Sequence, residues 1–214
     1  ATKKKVVVLG GDAAGLEAAR VAALRGHQVD LYTAEDELGA LQLKGAAASP
    51  QKERMQFVRE FLVTQPEKVG VAIHLGNIPD RAALEKMRPD VAIVALAKSP
   101  GHLPHNDSVI RMFPANEVLA GKTRTKKRVV VWGNGLRACE VTEYLSSKGI
   151  QVTLATSGAA SALPGSTVLR SIGMPLLRRI QNYNVKMLEH CTVSKATTKG
   201  VVLRSAEGEE SFLE

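Results

Sequence analysis

The chain has 214 residues, 44% of them apolar and 23% charged, a globular balance that excludes a disordered tail and a fibrous protein. Two cysteines, Cys139 and Cys191, exclude a disulfide scaffold and any four-thiolate zinc or iron–sulfur site within the chain, and make a reduced cytoplasmic protein the expectation. The net charge of +8 would draw polyanions, nucleic acid among them, but serves a nucleotide-binding protein equally well.

No stretch approaches the roughly 20 apolar residues of a membrane span. The apolar run after the basic start breaks at Gly10, far short of a secretory core, so a soluble protein without a membrane partner is expected.

An internal repeat organises the chain. Residues 4–33, KKVVVLGGDAAGLEAARVAALRGHQVDLYT, and 127–156, KRVVVWGNGLRACEVTEYLSSKGIQVTLAT, match without a gap at an offset of 123. Lys4 meets Lys127, the Val triplets coincide, and Gly10, Glu17 and Gly26 meet Gly133, Glu140 and Gly149. Each copy reads as a strand buried on both faces, a glycine turn, a helix ending at Gly and a second strand. That is a βαβ unit, so the fold class is α/β, with two Rossmann-like modules whose parallel sheets bind ligands at the carboxyl ends of the strands. Between the copies, 49–65 predicts an amphipathic helix with Met55, Val58, Phe61 and Leu62 on one face. A strand at 71–75, a helix at 81–87 and a strand at 91–96 follow. The Pro- and Gly-rich stretch 98–128 reads as a crossover, and the domains are set at 1–121 and 122–214. After the second copy come a helix over 168–181, a strand at 185–188 and a β-meander through Val193, 201–203 and Phe212.

A strand running straight into G-x-G-x-x-G/A at the start of a helix is a phosphate cradle. The second copy satisfies it with Gly133, Gly135 and Ala138, with Asn134, Leu136 and Arg137 between them. The first has Gly10, Gly11, Ala13, Ala14 and Gly15, but Asp12 stands at the middle position. A carboxylate some 4 Å from a phosphate costs on the order of 4 kcal/mol at an effective dielectric of 20. Three readings of this loop stay open: a site weakened by Asp12, a rearranged turn in which Gly11 makes the close approach while Asp12 faces solvent or caps the helix, and a purely structural turn. The acid that usually binds the ribose hydroxyls about 20 residues on is absent from both copies, where Thr33, and Thr156 with Ser157, occupy the place. Glu35 and Asp36 lie just beyond the first strand and read as a solvated turn. NAD and NADP are not separated on these residues. Arg137 either contacts a phosphate or covers the helix start.

No metal site is expected: the histidines lack ligand spacing, and His102 and His105 share a Pro-rich loop. Cys139 reads as a small buried apolar group, and the adjacent His190 and Cys191 point to opposite faces of a strand. The basic run 122–128 and the pair Arg178, Arg179 have no aromatic platform beside them, which argues against nucleic acid.

In order along the chain, KKVVVLGGDAAGLEAARVAALRGHQVDLY, DELGALQL, RPDVAIVALAKSP, EVLAGK and KKRVVVWGNG resemble the carboxy-terminal part of the trimethylamine dehydrogenase and 2,4-dienoyl-CoA reductase group of flavoproteins. The resemblance covers almost the whole chain. It implies an FAD- or ADP-binding first module and an NAD(P)-binding second module, preceded in such proteins by a flavin-containing barrel with an iron–sulfur cluster. It matches 10–15 to the FAD or ADP phosphate loop, Gly39 to the flavin-side turn and 133–138 to the nicotinamide-cofactor loop. It departs at Asp12, Thr33, Gly39-Ala40-Leu41 and Ala95-Leu96-Ala97. The chain is short for the family, lacking the barrel and the strand that would close the second module. An exposed sheet edge covered by a partner subunit or by the rest of a larger polypeptide is therefore expected. Two functions follow as expectations: an oxidoreductase module or subunit moving electrons between flavin and NAD(P)H, or a non-catalytic scaffold or ADP-binding subunit with a degenerate FAD site. A basic nucleic-acid-binding protein is the remaining alternative.

Overall fold

The computed structural model describes residues 2–39, 43, 45, 54–96, 111–165, 170–197 and 199–213. The expected features at 40–42, 49–53, 97–110 (with His102 and His105) and 168–169 lie outside them. Two compact units are present, Ala1–Ser99 and Pro100–Glu214.

In the first unit, β1 (Lys5–Leu9), α1 (Ala13–Leu24), β2 (Gln28–Tyr32), α2 (Arg54–Lys68), β3 (Ala72–His74), α3 (Arg81–Met87) and β4 (Val91–Val94) follow one another. The sheet has the order β3-β2-β1-β4 and every pairing is parallel. β1 is central and explains the uninterrupted valines. Val6 and Val8 join Leu16, Val29 and Leu31 in one core, while Val7 and Leu9 join Tyr32, Leu84 and Met87 on the opposite face. A strand covered on both sides has no polar face to alternate with.

α2 departs from the amphipathic helix expected of its sequence. Leu62 is buried, but Phe57, Val58 and Phe61 are exposed, and Arg20 lies over the Phe61 ring at 5.5 Å. The helix also continues through Pro66 to Lys68. Proline deletes a single intrahelical donor near this end, and the turn is still closed by the Val71 N–H bonding to the Pro66 carbonyl at 3.0 Å.

The second unit contains α4 (Ala115–Leu119), β5 (Arg128–Trp132), α5 (Leu136–Ser147), β6 (Gln151–Ala155), α6 (Arg170–Gln181), β7 (Lys186–Leu188), β8 (Cys191–Ala196), β9 (Val201–Ser205) and β10 (Glu210–Leu213). Strands β5-β6-β7 form a parallel sheet and β8-β9-β10 the expected antiparallel meander. Residues 115–119, placed in the first domain on sequence grounds, pack on α5 of this unit, burying Val118 and Leu119. The meander shares a core with the parallel sheet: Val130 and Ala155 meet Cys191, Val193, Val201 and Leu203.

β5 repeats β1 in sequence but not in position. It is an edge strand among the described residues, and its outer residues Arg128 and Trp132 are exposed where Val6 to Leu9 of β1 are all buried. Helix α5 is buried nearly all round, including two glutamates. The Glu143 carboxylate, fully buried, is held by the Arg179 guanidinium of α6, and Glu140 accepts from Arg137 at 2.8 Å. Removing one member of such a pair leaves a charge in low dielectric. Arg179→Ala is expected to destabilise the protein by about 3 kcal/mol, read as a lower urea midpoint, whereas the double replacement Glu143→Leu with Arg179→Met recovers most of that loss.

Candidate functional site

The site residues of each unit gather at the carboxyl ends of the parallel strands. In the first unit the turn after β1 is compressed. A Cβ on Gly15 would fall 1.9 Å from the Gly10 carbonyl oxygen, and one on Gly10 would fall 2.3 Å from the Ala95 carbonyl oxygen. Gly10, with φ +122°, turns the chain so that α1 begins three residues later, at Ala13. Two conditions, positive φ and backbone against backbone, exclude any side chain there.

The structure brings Gly11, Asp12, Thr33 and Gly39 together. A Cβ on Gly11 would meet the Thr33 Cβ at 2.8 Å, and the Gly39 N–H donates to the Gly11 carbonyl at 2.7 Å. Asp12 is the N-cap residue of α1, yet its side chain makes no capping bond to the helix. It accepts instead from the Leu43 N–H at 3.4 Å. Thr33 is buried, its Oγ1 accepting from the Glu35 N–H at 3.3 Å, and Asn77 bridges to it from the segment after β3. Beside it Tyr32 stacks on His74 with ring centroids 4.2 Å apart, and His74 Nε2 lies 3.2 Å from Asp30 Oδ1. Burial, with the Asp30 charge adding to it, raises the Tyr32 hydroxyl above its ordinary range.

This loop therefore has the backbone of a nucleotide cradle: no acid stands in the first turn of α1, where Ala13, Ala14 and Gly15 present their amides. Against it stand the Asp12 charge and the absence of an acid at Thr33. The loop keeps the glycine turn and acid-free first turn that phosphate cradles use, and adds the Asp12 carboxylate at the N-cap.

The second loop has no such opposition. Gly133, φ +151°, donates its N–H to the Ala155 carbonyl at 3.0 Å, as Gly10 does to Tyr32 at 2.8 Å. Gly135 is the N-cap residue of α5, and a Cβ built on it would meet nothing within 4 Å. That open space lies at the N-terminus of a 12-residue helix whose first turn, Leu136 to Ala138, holds no acid. It is the close-approach surface that a pyrophosphate needs. Asn134 Nδ2 bonds to Ser157 Oγ at 3.3 Å, tying the glycine turn to the end of β6. Thr156 is fully buried, and its hydroxyl accepts from the Gly158 N–H at 3.4 Å. Arg137 donates from its Nη1 to Glu140 along the helix, a partner the sequence did not point to.

Several partners in these sites escaped the sequence reading. The Leu43 amide, the Ala95 carbonyl and Glu189, whose carboxylate accepts from the Ala160 N–H at 2.9 Å, all lie far along the chain from the loops they meet. A hollow of about 790 Å³ in the first unit lies elsewhere: it runs along α1 and reaches Thr2, Lys4, Arg25 and His27, at the amino ends of the strands. Both cysteines are free and buried. Burial, reinforced by the neighbouring Glu140 charge, pushes the Cys139 thiol up to about 12, and burial also raises Cys191, whose Sγ donates to the Leu188 carbonyl. No group of three metal-binding side chains occurs among the described residues. No helix among them is long and apolar enough to cross a membrane.

Comparison with known proteins gives these loops a family. The family model described as pyridine nucleotide-disulphide oxidoreductase matches residues 4–213. The chain is 34% identical to an NADH oxidase of Thermoanaerobacter brockii over 99% of its length and 33% of that protein's. It is 34% identical to a bilirubin reductase of Mediterraneibacter gnavus over 98% of its length and 32% of that protein's. The chain thus spans about a third of the length of these curated relatives. Among solved structures, a 2-naphthoyl-CoA reductase superposes on the whole chain with a TM-score of 0.84 at 24% identity, over 32% of its own chain. A histamine dehydrogenase from Rhizobium does so with a TM-score of 0.73 at 19% identity, over 35% of its own chain. With two dinucleotide-type βαβ units and a family match from end to end, the chain belongs to the pyridine nucleotide-disulphide oxidoreductase family.

Proposed function

We propose that this chain is the dinucleotide-binding part of a flavin-dependent, NAD(P)H-linked oxidoreductase of the trimethylamine dehydrogenase and 2,4-dienoyl-CoA reductase group, in which the second unit binds the nicotinamide cofactor. The observation that carries the reading is Gly135, whose missing side chain leaves open space at the start of α5. Gly133, Asn134, Gly135, Leu136 and Ala138 would hold the pyrophosphate through backbone amides, with Thr156 and Ser157 beside the ribose. The first unit takes FAD or ADP through Gly10, Gly11, Ala13, Ala14 and Gly15, with Gly39 at the flavin side and Asp12 and Thr33 weakening the grip. When bound, such cofactors supply the hydride and electron transfer; the protein holds and orients them. The curated relatives are about three times longer, so a flavin-bearing barrel domain or partner subunit completes the enzyme in this reading. Two free buried thiols support a reducing, cytoplasmic setting in this reading.

Titration with NADH tests the reading directly. Trp132, the single tryptophan, precedes Gly133 and is exposed, so binding quenches its fluorescence. A protein that carries no flavin and shows no response to NADH, NADPH or ADP would sink the proposal. Gly135→Ala is expected to leave the melting temperature unchanged, because its φ of −99° and open surroundings accept a methyl, while NADH affinity falls at least about tenfold. Gly15→Ala, by contrast, prevents stable folding. Asp12→Asn keeps the acceptor for the Leu43 amide and removes the charge, so ADP and FAD affinity rises by about tenfold or more; unchanged affinity refutes the electrostatic account of this loop. Iodoacetamide at pH 8 is expected to leave Cys139 unmodified in the native protein and to label it in urea, because a thiol at about 12 holds its proton throughout that range.

A further inference from the structure

The register of the second sheet brings a carboxylate to the ribose position from a neighbouring strand. β6 pairs with β7 so that Ala155 faces Leu188. Thr156, where a ribose-binding acid would stand, is therefore level with Glu189 at an interstrand distance of about 4.8 Å. The pairing continues past the strand ends: the Thr156 N–H donates to the Leu188 carbonyl at 2.9 Å and the Cys191 N–H donates to the Thr156 carbonyl at 2.9 Å. A glutamate side chain spans that gap.

Glu189 is exposed and already turned toward the loop that follows β6. Its Oε1 accepts from the Ala160 N–H at 2.9 Å, two residues beyond Gly158, while its Oε2 has no protein partner among the described residues. Among the described residues no lysine or arginine bonds to Thr156, Ser157 or Glu189. The first unit offers no counterpart, since Tyr32 faces His74 and the residue level with Thr33 is Leu75.

We infer that Glu189 is the ribose-recognition acid of the second unit, supplied from β7 instead of β6, and that it makes this unit select NADH over NADPH. The inference rests on the nicotinamide-cofactor reading above. One carboxylate oxygen keeps the Ala160 loop in place while the other accepts from the 2′-hydroxyl of the adenosine ribose. A 2′-phosphate in the same place brings a second negative charge against the carboxylate and offers no proton to donate.

NADH and NADPH are titrated in parallel into the full protein and into Glu189→Gln, following Trp132 fluorescence. Glutamine retains an acceptor for the Ala160 N–H, so the variant keeps the wild-type melting temperature. The wild type is expected to bind NADH at least about tenfold more tightly than NADPH, and the variant to bring the two near parity, weakening NADH and strengthening NADPH. A wild type that prefers NADPH, or a variant with the wild-type ratio, overturns the role of Glu189 and leaves the nicotinamide site standing. A wild type that binds neither removes the nicotinamide site and the inference with it.

Discussion

The contact between the turn after β1 and the first turn of α1 governs the geometry of the first unit. Gly15 can sit against the Gly10 carbonyl only because it lacks a Cβ, which would otherwise lie 1.9 Å from that oxygen. With the helix seated so closely on the strand, its leading amides point to the carboxyl end of the sheet and its length carries the chain back to start β2 in parallel with β1. The second unit uses the same device less tightly. Ala138 takes the place of Gly15, and its methyl would stand 3.2 Å from a Cβ on Gly133. One methyl of extra separation leaves the turn intact, and the open space at Gly135 lies in this looser copy.

The two copies differ in their neighbours more than in their backbones. β1 lies between β2 and β4 and is buried from Val6 to Leu9, whereas among the described residues β5 has β6 on one side only and exposes both ends. α1 buries Gly15, Leu16 and Ala19, while α5 buries eight of its residues under α4, α6 and the sheet. At offset 123, Glu17 and Arg20 become Glu140 and Glu143. In the first copy they pair with each other at 2.7 Å near the surface, and in the second each glutamate is buried against a separate arginine. An exposed pair of the first kind contributes little to stability. The second kind is the costly one to break, so duplicated positions carry unequal weight.

That contrast explains what could be read from residues alone. The βαβ units, the meander and the glycine turns were legible because they rest on short-range rules: a doubly buried strand is continuously apolar, and a turn of positive φ needs glycine. The burial of α2 was not legible. Its pattern of Met55, Val58, Phe61 and Leu62 matches a core face, but only Leu62 meets the core. Periodicity tells which residues share a face, not which element arrives to cover it. Asp12 shows the same limit at the site. Its identity exposed the electrostatic conflict, whereas its partner, the Leu43 amide 31 residues away, follows only from the fold.

The charge of the chain can now be placed in the anion-binding problem. A net +8 suggests a cationic surface waiting for phosphates, but the arginine nearest the second loop is already engaged. Arg137 holds Glu140 at 2.8 Å, and pulling it away would strand a buried carboxylate. In the proposed reading, phosphate recognition at 133–138 would therefore fall to backbone amides and the dipole of α5, which act over the first turn and demand close approach. A loop of this kind selects by shape. In that reading Gly135 would contribute more than any lysine could at this position, because the absence of a Cβ at the N-cap would admit a phosphate to within hydrogen-bonding distance of the leading amides of α5, where their partial charges act.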